Sequence, residues 1–331
     1  MIKSAKDIGF GVIGVGIMGK GHALYLSDYV KGAKVVAIYD TNLTTAANVA
    51  KEVFKKTKVL PKVYQDIDQL LGDKSVNSVI IASPDHLHAK HLTQSVLAGK
   101  NVLCEKPLAS TVKEAKKVAK IVRESKSIVG VGFMRRFDKA YLDLKKEINT
   151  GKYGQVLQIR CTSRNVSSPN ATTSMLLTNV AVHEIDIIRW LLGEDIVSVK
   201  VNYAKVTKKA NPNLSDPISV ICKSESGVLI TIDIFANSTY GYEVGMEVLT
   251  ENGSLVIENL GSLNIAKNFK LPGRKPGTLH KDWMGRFKPA YIAELKAFIN
   301  SLQKRKLDSN FATAEDGLAA SIACGLGVKS L

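Results

Sequence analysis

Three short stretches of this chain combine residue types and spacings that could do chemistry. In Asn179-Val180-Ala181-Val182-His183-Glu184-Ile185-Asp186, a helix sets Asn179, His183 and Asp186 on one face at i, i+4 and i+7. An imidazole in that setting can take a proton from a hydroxyl. It can also be a histidine capped by Glu184 or Asp186 with no further part. Glu105-Lys106-Pro107 reads as the exit of a strand. The proline stops the strand and presents an ammonium group at the carboxyl edge of a sheet, where ligands of open α/β sheets bind. Taken alone it is one lysine among many. The third stretch, Gly14-x-Gly16-x-x-Gly19, supplies a turn that can lie against an anion.

The glycines gain meaning from their flanks. An apolar run from Phe10 precedes them, an amphipathic pattern with Ala23, Leu24 and Leu26 follows, and Val35-Val36-Ala37-Ile38-Tyr39 then ends at Asp40. Strand, glycine turn, helix and a second strand closing on an acid about 20 residues on form the dinucleotide-binding unit. Gly14 allows the tight turn, Gly16 lets backbone approach a pyrophosphate, and Gly19 brings the helix close to the strand. Asp40 can accept hydrogen bonds from both ribose hydroxyls of an adenosine and would repel a 2′-phosphate. Thr41 and Asn42 follow it, with no arginine at hand. The expected cofactor is NAD rather than NADP.

The elements that must position these residues fall into two regions. Up to Met134, apolar strands alternate with helices: helices over Thr44 to Lys56, His86 to Ala98 and Thr111 to Ser125, and strands at 62–64, 76–82, 101–107 and 128–133. Such alternation implies a doubly wound parallel sheet. Ser83-Pro84-Asp85 breaks one of its strands. The expected domains are 1–134, a Rossmann domain, and 135–331, a domain for substrate and oligomerisation, with the last helices able to pack back on the first. The second region opens with a helix from Phe137 to Thr150. One further helix, Asn179 to Leu192, lies among strand-like runs at 156–161, 197–203, 218–222, 228–235, 242–250 and 254–258. Ser226-Gly227 and Glu251-Asn252-Gly253 suggest hairpins. The expectation is α/β plus α+β, with an open, mostly antiparallel sheet whose uncovered face is buried by self-association. Pro272 to Gly277 reads as a loop, and Pro289 to Leu302 and Thr313 to Val328 as the final helices.

Composition narrows the class. At 331 residues the chain can hold two cores. It shows no apolar run long enough to span a bilayer and no secretion signal, so a cytoplasmic protein without membrane contact is expected. Cys104, Cys161, Cys222 and Cys324 lie far apart among apolar residues, which reads as buried free thiols and no metal site. The net charge of +16 would suit nucleic acid. However, the lysines are scattered among acids along helices, as in Lys113-Glu114-Ala115-Lys116-Lys117, and aromatics do not interleave with them. No nucleic-acid partner is expected.

The order of motifs then carries a resemblance. GxGxxG, Glu105-Lys106-Pro107, Gly132-Phe133-Met134-Arg135-Arg136-Phe137-Asp138 and His183-Glu184-x-Asp186, with Asp282-Trp283-x-x-Arg286-Phe287 and Ala290-Tyr291, resemble the Gfo/Idh/MocA oxidoreductases from Ile8 to about Val328. Within that family the chain is most similar to the inositol 2-dehydrogenases. The resemblance implies hydride transfer between NAD and a ring carbon bearing a hydroxyl, in a homotetramer. Lys106 would hydrogen-bond the reacting oxygen and His183 would take its proton. Arg135 or Arg136, Asn165, Asn179 and Tyr240 or Tyr242 would line the polyol pocket. Gly14, Gly16, Ile17, Met18, Gly19 and Asp40, with Ser83, Pro84, His86, Glu105 and Lys106, would meet the cofactor. The chain departs from the inositol enzymes at Asn179 (an aspartate there), Val180 (a threonine) and Ser163 (a histidine), positions that bear on substrate rather than on fold or cofactor. An aldose or amino-sugar dehydrogenase, and a dinucleotide-sensing regulator on the same fold, are the competing readings.

Overall fold

β1 (Ile8–Ile13) runs through the middle of a six-stranded, wholly parallel sheet. This computed structural model describes residues 7–257, the backbone of 263–266, and residues 280–331. After β1 come α1 (Ile17–Tyr29), β2 (Ala33–Tyr39), α2 (Leu43–Thr57), β3 (Lys62–Tyr64) and α3 (Ile67–Gly72). The chain then crosses back for β4 (Ser78–Ile81), α4 (His88–Leu97), β5 (Asn101–Glu105), α5 (Val112–Arg123) and β6 (Val129–Gly132). The strand order is β3-β2-β1-β4-β5-β6, so the direction of winding reverses between β1 and β4. That reversal opens a crevice at the carboxyl ends of those two strands. The helix starts obey local chemistry. Asn42 caps α2, Asp66 caps α3 and Thr111 caps α5, each accepting a backbone N–H of the first turn.

The chain divides into two units, Met1–Met134 with Tyr291–Leu318, and Arg135–Ala290 with Ala319–Leu331. In the first, the late segment is held by an aromatic ladder. Phe298 meets Phe10 at 6.3 Å and Phe311 at 5.7 Å between ring centroids. A Cβ on Gly130 would come within 2.8 Å of the Phe311 ring, so glycine there lets the ring lie on β6.

The second unit is built on a seven-stranded sheet. Its elements are α6 (Lys139–Asn149), β7 (Val156–Arg164), α7 (Thr173–Met175), a π-helical stretch (Leu176–Ala181), α8 (Val182–Leu192), β8 (Ile196–Tyr203), β9 (Ile218–Ser224), β10 (Leu229–Phe235), β11 (Glu243–Thr250), β12 (Gly253–Ile257) and β13 (Leu263–Ala266). The order is β13-β12-β11-β7-β10-β9-β8; β7 and β10 run parallel and every other pair antiparallel. Hairpins join β9 to β10 and β11 to β12. Alternation separates the faces. Ile159, Cys161, Val220, Ile230, Ile232 and Met246 point inward and are buried, while Ile221 and Leu229 on the other face are more than a third exposed. α6 packs on β12, and the π-helical stretch on β10.

Three expectations shift. The helix expected from Pro289 is α9 (Trp283–Lys304), with Pro289 inside it rather than at its start. As the seventh residue of the helix, Pro289 offers no N–H to the carbonyl one turn back, at Gly285. The helix expected from Phe137 is a 3-10 turn, Met134–Phe137, and then α6, whose cap is Asp138. The helix expected from Asn179 starts at Thr173 and passes through the π-helical stretch. α10 (Ala314–Lys329) closes the chain. The loop expected over Pro272 to Gly277 lies outside the described residues. All four cysteines are buried free thiols. Among the described residues no helix is long and apolar enough to cross a membrane, and no cluster could hold a metal ion.

The core of the first unit also holds an acid. His22 Nε2 meets Glu105 Oε1 at 2.7 Å, with the Tyr291 ring edge-on at 5.7 Å. Glu294 on α9 is fully buried, and neither of its carboxyl oxygens has a hydrogen-bond partner among the described residues. Burial, and then the Glu105 carboxylate, hold its pKa well above the usual value. As pH rises past about 4.5 the unfolded chain loses this proton while the folded chain keeps it, so stability falls with pH. Glu294→Met removes that slope. Its gain in Tm over the parent protein should be larger at about pH 8 than at about pH 5, by calorimetry. An equal gain at both would refute a neutral Glu294.

Candidate active site

At the carboxyl edge of the first unit's sheet, the glycine turn is held by backbone approach. Gly14 has φ +84, and a Cβ there would sit 2.6 Å from Ser83 backbone atoms. A Cβ on Gly19 would fall 1.8 Å from the Gly14 carbonyl oxygen, so only glycine lets α1 begin where it does. Gly16 is different: a Cβ on it would meet no protein atom within 4 Å. Nothing in the chain's own packing asks for glycine there, whereas close approach of a ligand does. The first turn of α1 has no side-chain cap and no acidic residue. Its N–H groups suit a pyrophosphate. Ile17, beside them, is 70% exposed and Met18 is half-buried. These residues fit a dinucleotide.

Asp40 follows β2, as the spacing predicted. Its carboxylate accepts from the N–H of Val15 at 2.8 Å and of Asn42 at 2.8 Å. It therefore ties the glycine turn to the end of β2. With about four lone-pair sites on a carboxylate, it retains capacity for ribose hydroxyls. Ser83 is buried after β4, while Pro84 and His86 are exposed. Lys106 follows β5 and is half-buried. Glu105, expected to face the cofactor, is 6% exposed. Its Oε1 faces His22, and its Oε2 accepts the N–H of Lys106 at 3.3 Å.

In the second unit His183 lies in the first turn of α8 and is half-buried. The residues around it on that helix are committed inward. Arg135 donates to Glu184 at 2.6 Å, and Arg136 donates to both oxygens of Asp186 at 2.9 and 2.6 Å. The four side chains are between 1 and 3% exposed. Burial alone works against charge on Arg135. The Glu184 carboxylate outweighs it, helped by Tyr141 and Tyr242, and holds the guanidinium above its ordinary value. A third pair, Arg286 with Asp138, has its shorter contact at 2.6 Å. Phe287 lies beneath both Arg286 and Arg135, at 4.4 and 5.6 Å from the guanidinium carbons. Both guanidinium groups, expected to line the polyol pocket, are buried and paired with acids on α8.

The remaining candidates sit on loops and strand ends. The N–H of Asn165 donates to Phe235, and the Asn165 carbonyl accepts from the Ser238 N–H and hydroxyl, all at 2.9 Å. Buried Asp216 fixes the partner loop by accepting from the N–H groups of Ala236 and Asn237 at 2.8 and 3.0 Å. Tyr240 is 55% exposed and its hydroxyl accepts from Arg164 at 2.9 Å. Tyr242 is buried edge-on to Phe287, and burial first pushes its phenol up to about 12. Asn179 lies within the π-helical stretch, so its spacing to His183 is not that of a plain α-helical turn. Its amide oxygen accepts from the Thr178 hydroxyl at 3.2 Å. Sequence reading missed His22, Glu294 and the three arginine–carboxylate pairs. Only the run Arg135-Arg136 beside an apolar stretch hinted at them.

Comparison with known proteins bears on the chemistry. Residues 8–133 match the oxidoreductase family with an NAD-binding Rossmann fold, and residues 141–256 match the GFO/IDH/MocA C-terminal domain. The chain is 37% identical to an inositol 2-dehydrogenase/D-chiro-inositol 3-dehydrogenase of Shouchella clausii, over 97% of this chain and 90% of that protein. It is 35% identical to an inositol 2-dehydrogenase of Klebsiella pneumoniae, over 97% and 93%. Among solved structures, myo-inositol dehydrogenase from Lactobacillus casei in complex with NAD(H) and myo-inositol superposes with a TM-score of 0.87. It is 29% identical and covers 98% of this chain and 94% of that chain.

The Arg135–Glu184 pair makes a claim about stability. Removing either partner alone, as Arg135→Met or Glu184→Leu, leaves a buried charge and should cost about 3–5 kcal/mol in urea unfolding. The double replacement should recover most of that loss. Single changes costing no more than the double would overturn the coupling.

Proposed function

The chain belongs to the GFO/IDH/MocA oxidoreductase family, and on that premise we propose that it oxidises a ring hydroxyl of an inositol, of the myo or scyllo type, to the ketone with NAD. Bound NAD supplies the hydride acceptor. Lys106 hydrogen-bonds the reacting oxygen, and its cation lowers the cost of alkoxide character as hydride leaves. His183 takes the hydroxyl proton. Glu184 and Asp186, held by Arg135 and Arg136, fix the roll of α8 and with it the direction of His183. Asn165, Asn179, Tyr240 and Tyr242 contact the polyol. Asn179 brings an amide where the inositol enzymes have a carboxylate, so the imidazolium formed on His183 has less charge beside it.

The observation that carries this reading is the placement of Lys106. It stands half-buried at the carboxyl end of β5, on the same sheet edge as the glycine turn, with its N–H held by Glu105. The inositol assignment is supported by similarity along nearly the whole chain. Buried free thiols are in keeping with a cytoplasmic enzyme.

NADH formation, followed by absorbance with myo-, scyllo- and D-chiro-inositol and with aldoses, tests the reading. Turnover is expected with at least one inositol. Lys106→Ala and His183→Ala should each lower kcat about a hundredfold or more. NADH binding, by fluorescence titration, should persist in both. Turnover confined to aldoses, or retained in both variants, would overturn it.

We also propose that the outer face of the seven-stranded sheet is covered in a homotetramer. Val197, Ile221 and Leu229 are exposed along it. Light scattering at micromolar concentration should return four times the 35.9 kDa chain mass. A monomer mass would refute this.

A further inference from the structure

Two histidines lie buried behind the carboxyl edge of the first unit's sheet, and the chemistry described so far uses neither. His88, the first residue of α4, is 1% exposed. Its Nδ1 lies 2.7 Å from the carbonyl oxygen of Pro107, and its Nε2 lies 2.8 Å from the carbonyl oxygen of Ser83. A carbonyl oxygen can only accept. A hydrogen bond to either carbonyl therefore needs a hydrogen on the nitrogen that faces it. His91 lies one turn on. Burial first, and then the electrostatic influence of Lys90, His88 and His86, hold it down at about 4. It is neutral, and its Nδ1 lies 2.9 Å from the Ser83 hydroxyl.

The two carbonyl groups belong to the turns that matter. Pro107 follows Lys106 directly. Ser83 follows β4, and its backbone is packed against Gly14, the first glycine of the cofactor turn. A continuous line of contacts thus runs from Gly14 through Ser83 and His88 to the turn that carries Lys106. Resting on the reading of Lys106 given above, we propose that His88 is a positioning residue: donating from both ring nitrogens, it clamps the Lys106-Pro107 turn to the Ser83 turn and so aims the lysine. Each nitrogen has its own task. Nδ1 holds the turn of the catalytic lysine, and Nε2 holds the turn beside the cofactor glycines.

That division can be tested by splitting it. His88→Asn keeps a donor at the place of Nδ1, and His88→Gln keeps one at the place of Nε2. Inositol-dependent kcat should fall about tenfold further in His88→Gln than in His88→Asn, as expected when a reacting group is misplaced. NADH dissociation constants, from fluorescence titration, should move the other way, rising about threefold further in His88→Asn. Equal losses in the two variants, on both measurements, would mean a merely structural histidine and overturn the proposal. Nitrogen-15 NMR of the wild-type protein is independent of how the variants fold. It should show a hydrogen on both ring nitrogens of His88, and a ring protonated on one nitrogen only would overturn the clamp. Lys106→Ala measured in parallel separates the two readings. If that variant keeps its kcat, the assignment of Lys106 fails, while the NMR and NADH results still report on the clamp.

Discussion

Two charges stand at adjacent positions in the interior of the second unit, and the arrangement around His183 follows from how they are neutralised. Stripping water from an arginine or a carboxylate costs several kcal/mol per ion. Arg135 and Arg136 are tolerated because Glu184 and Asp186 meet them at hydrogen-bond distance, one of the pairs in two-point geometry. Hydrophobic burial alone would let a helix roll or slide by part of a turn at small cost. A planar guanidinium that must meet a planar carboxylate would not. The pairs therefore convert a greasy contact into a fixed rotation of α8, and His183 lies between Val182 and Glu184 on that helix. The Arg286–Asp138 pair and the Phe287 ring extend the same device toward Tyr242.

The first unit reaches its precision by other means. Its carboxyl edge is ordered mostly by backbone. Gly19 lies on the Gly14 carbonyl, Gly14 lies on Ser83, and Asp40 bridges the N–H groups of Val15 and Asn42. Backbone contacts of this kind leave little freedom to side-chain substitution. This explains why the glycine spacing, rather than the residues between, identifies such a turn. The same edge keeps space in front of Gly16, where only backbone would face a pyrophosphate. Beneath it, the His22–Glu105 pair and the buried Glu294 occupy the core of the first unit.

The π-helical stretch Leu176–Ala181 joins the helix start to the His183 turn. One wider turn within an otherwise α-helical run changes which residues share a face. Asn179 thereby takes a setting that no plain helical wheel assigns, with Thr178 donating to its amide. The backbone irregularity thus falls at a residue proposed to touch the substrate.

Local sequence was enough for much of this protein. Glycine spacing, the acid closing the second strand and the alternation of apolar runs with helices were sufficient for the parallel sheet and for NAD as cofactor, because these signals lie within short βαβ units. Two-residue periodicity and the Ser226-Gly227 and Glu251-Asn252-Gly253 turns were sufficient for the open, mostly antiparallel sheet. Only the tertiary structure decided what depends on residues far apart in the chain. Arg135 and Arg136 find their acids about 50 positions later, and Phe298 and Phe311 return to the first sheet from the end of the chain. His88 donates to carbonyl groups on two separate turns. A charge or an imidazole looks the same in sequence whether it faces water, a ligand or a buried partner. Its role is set by what the fold brings within 3 Å of it.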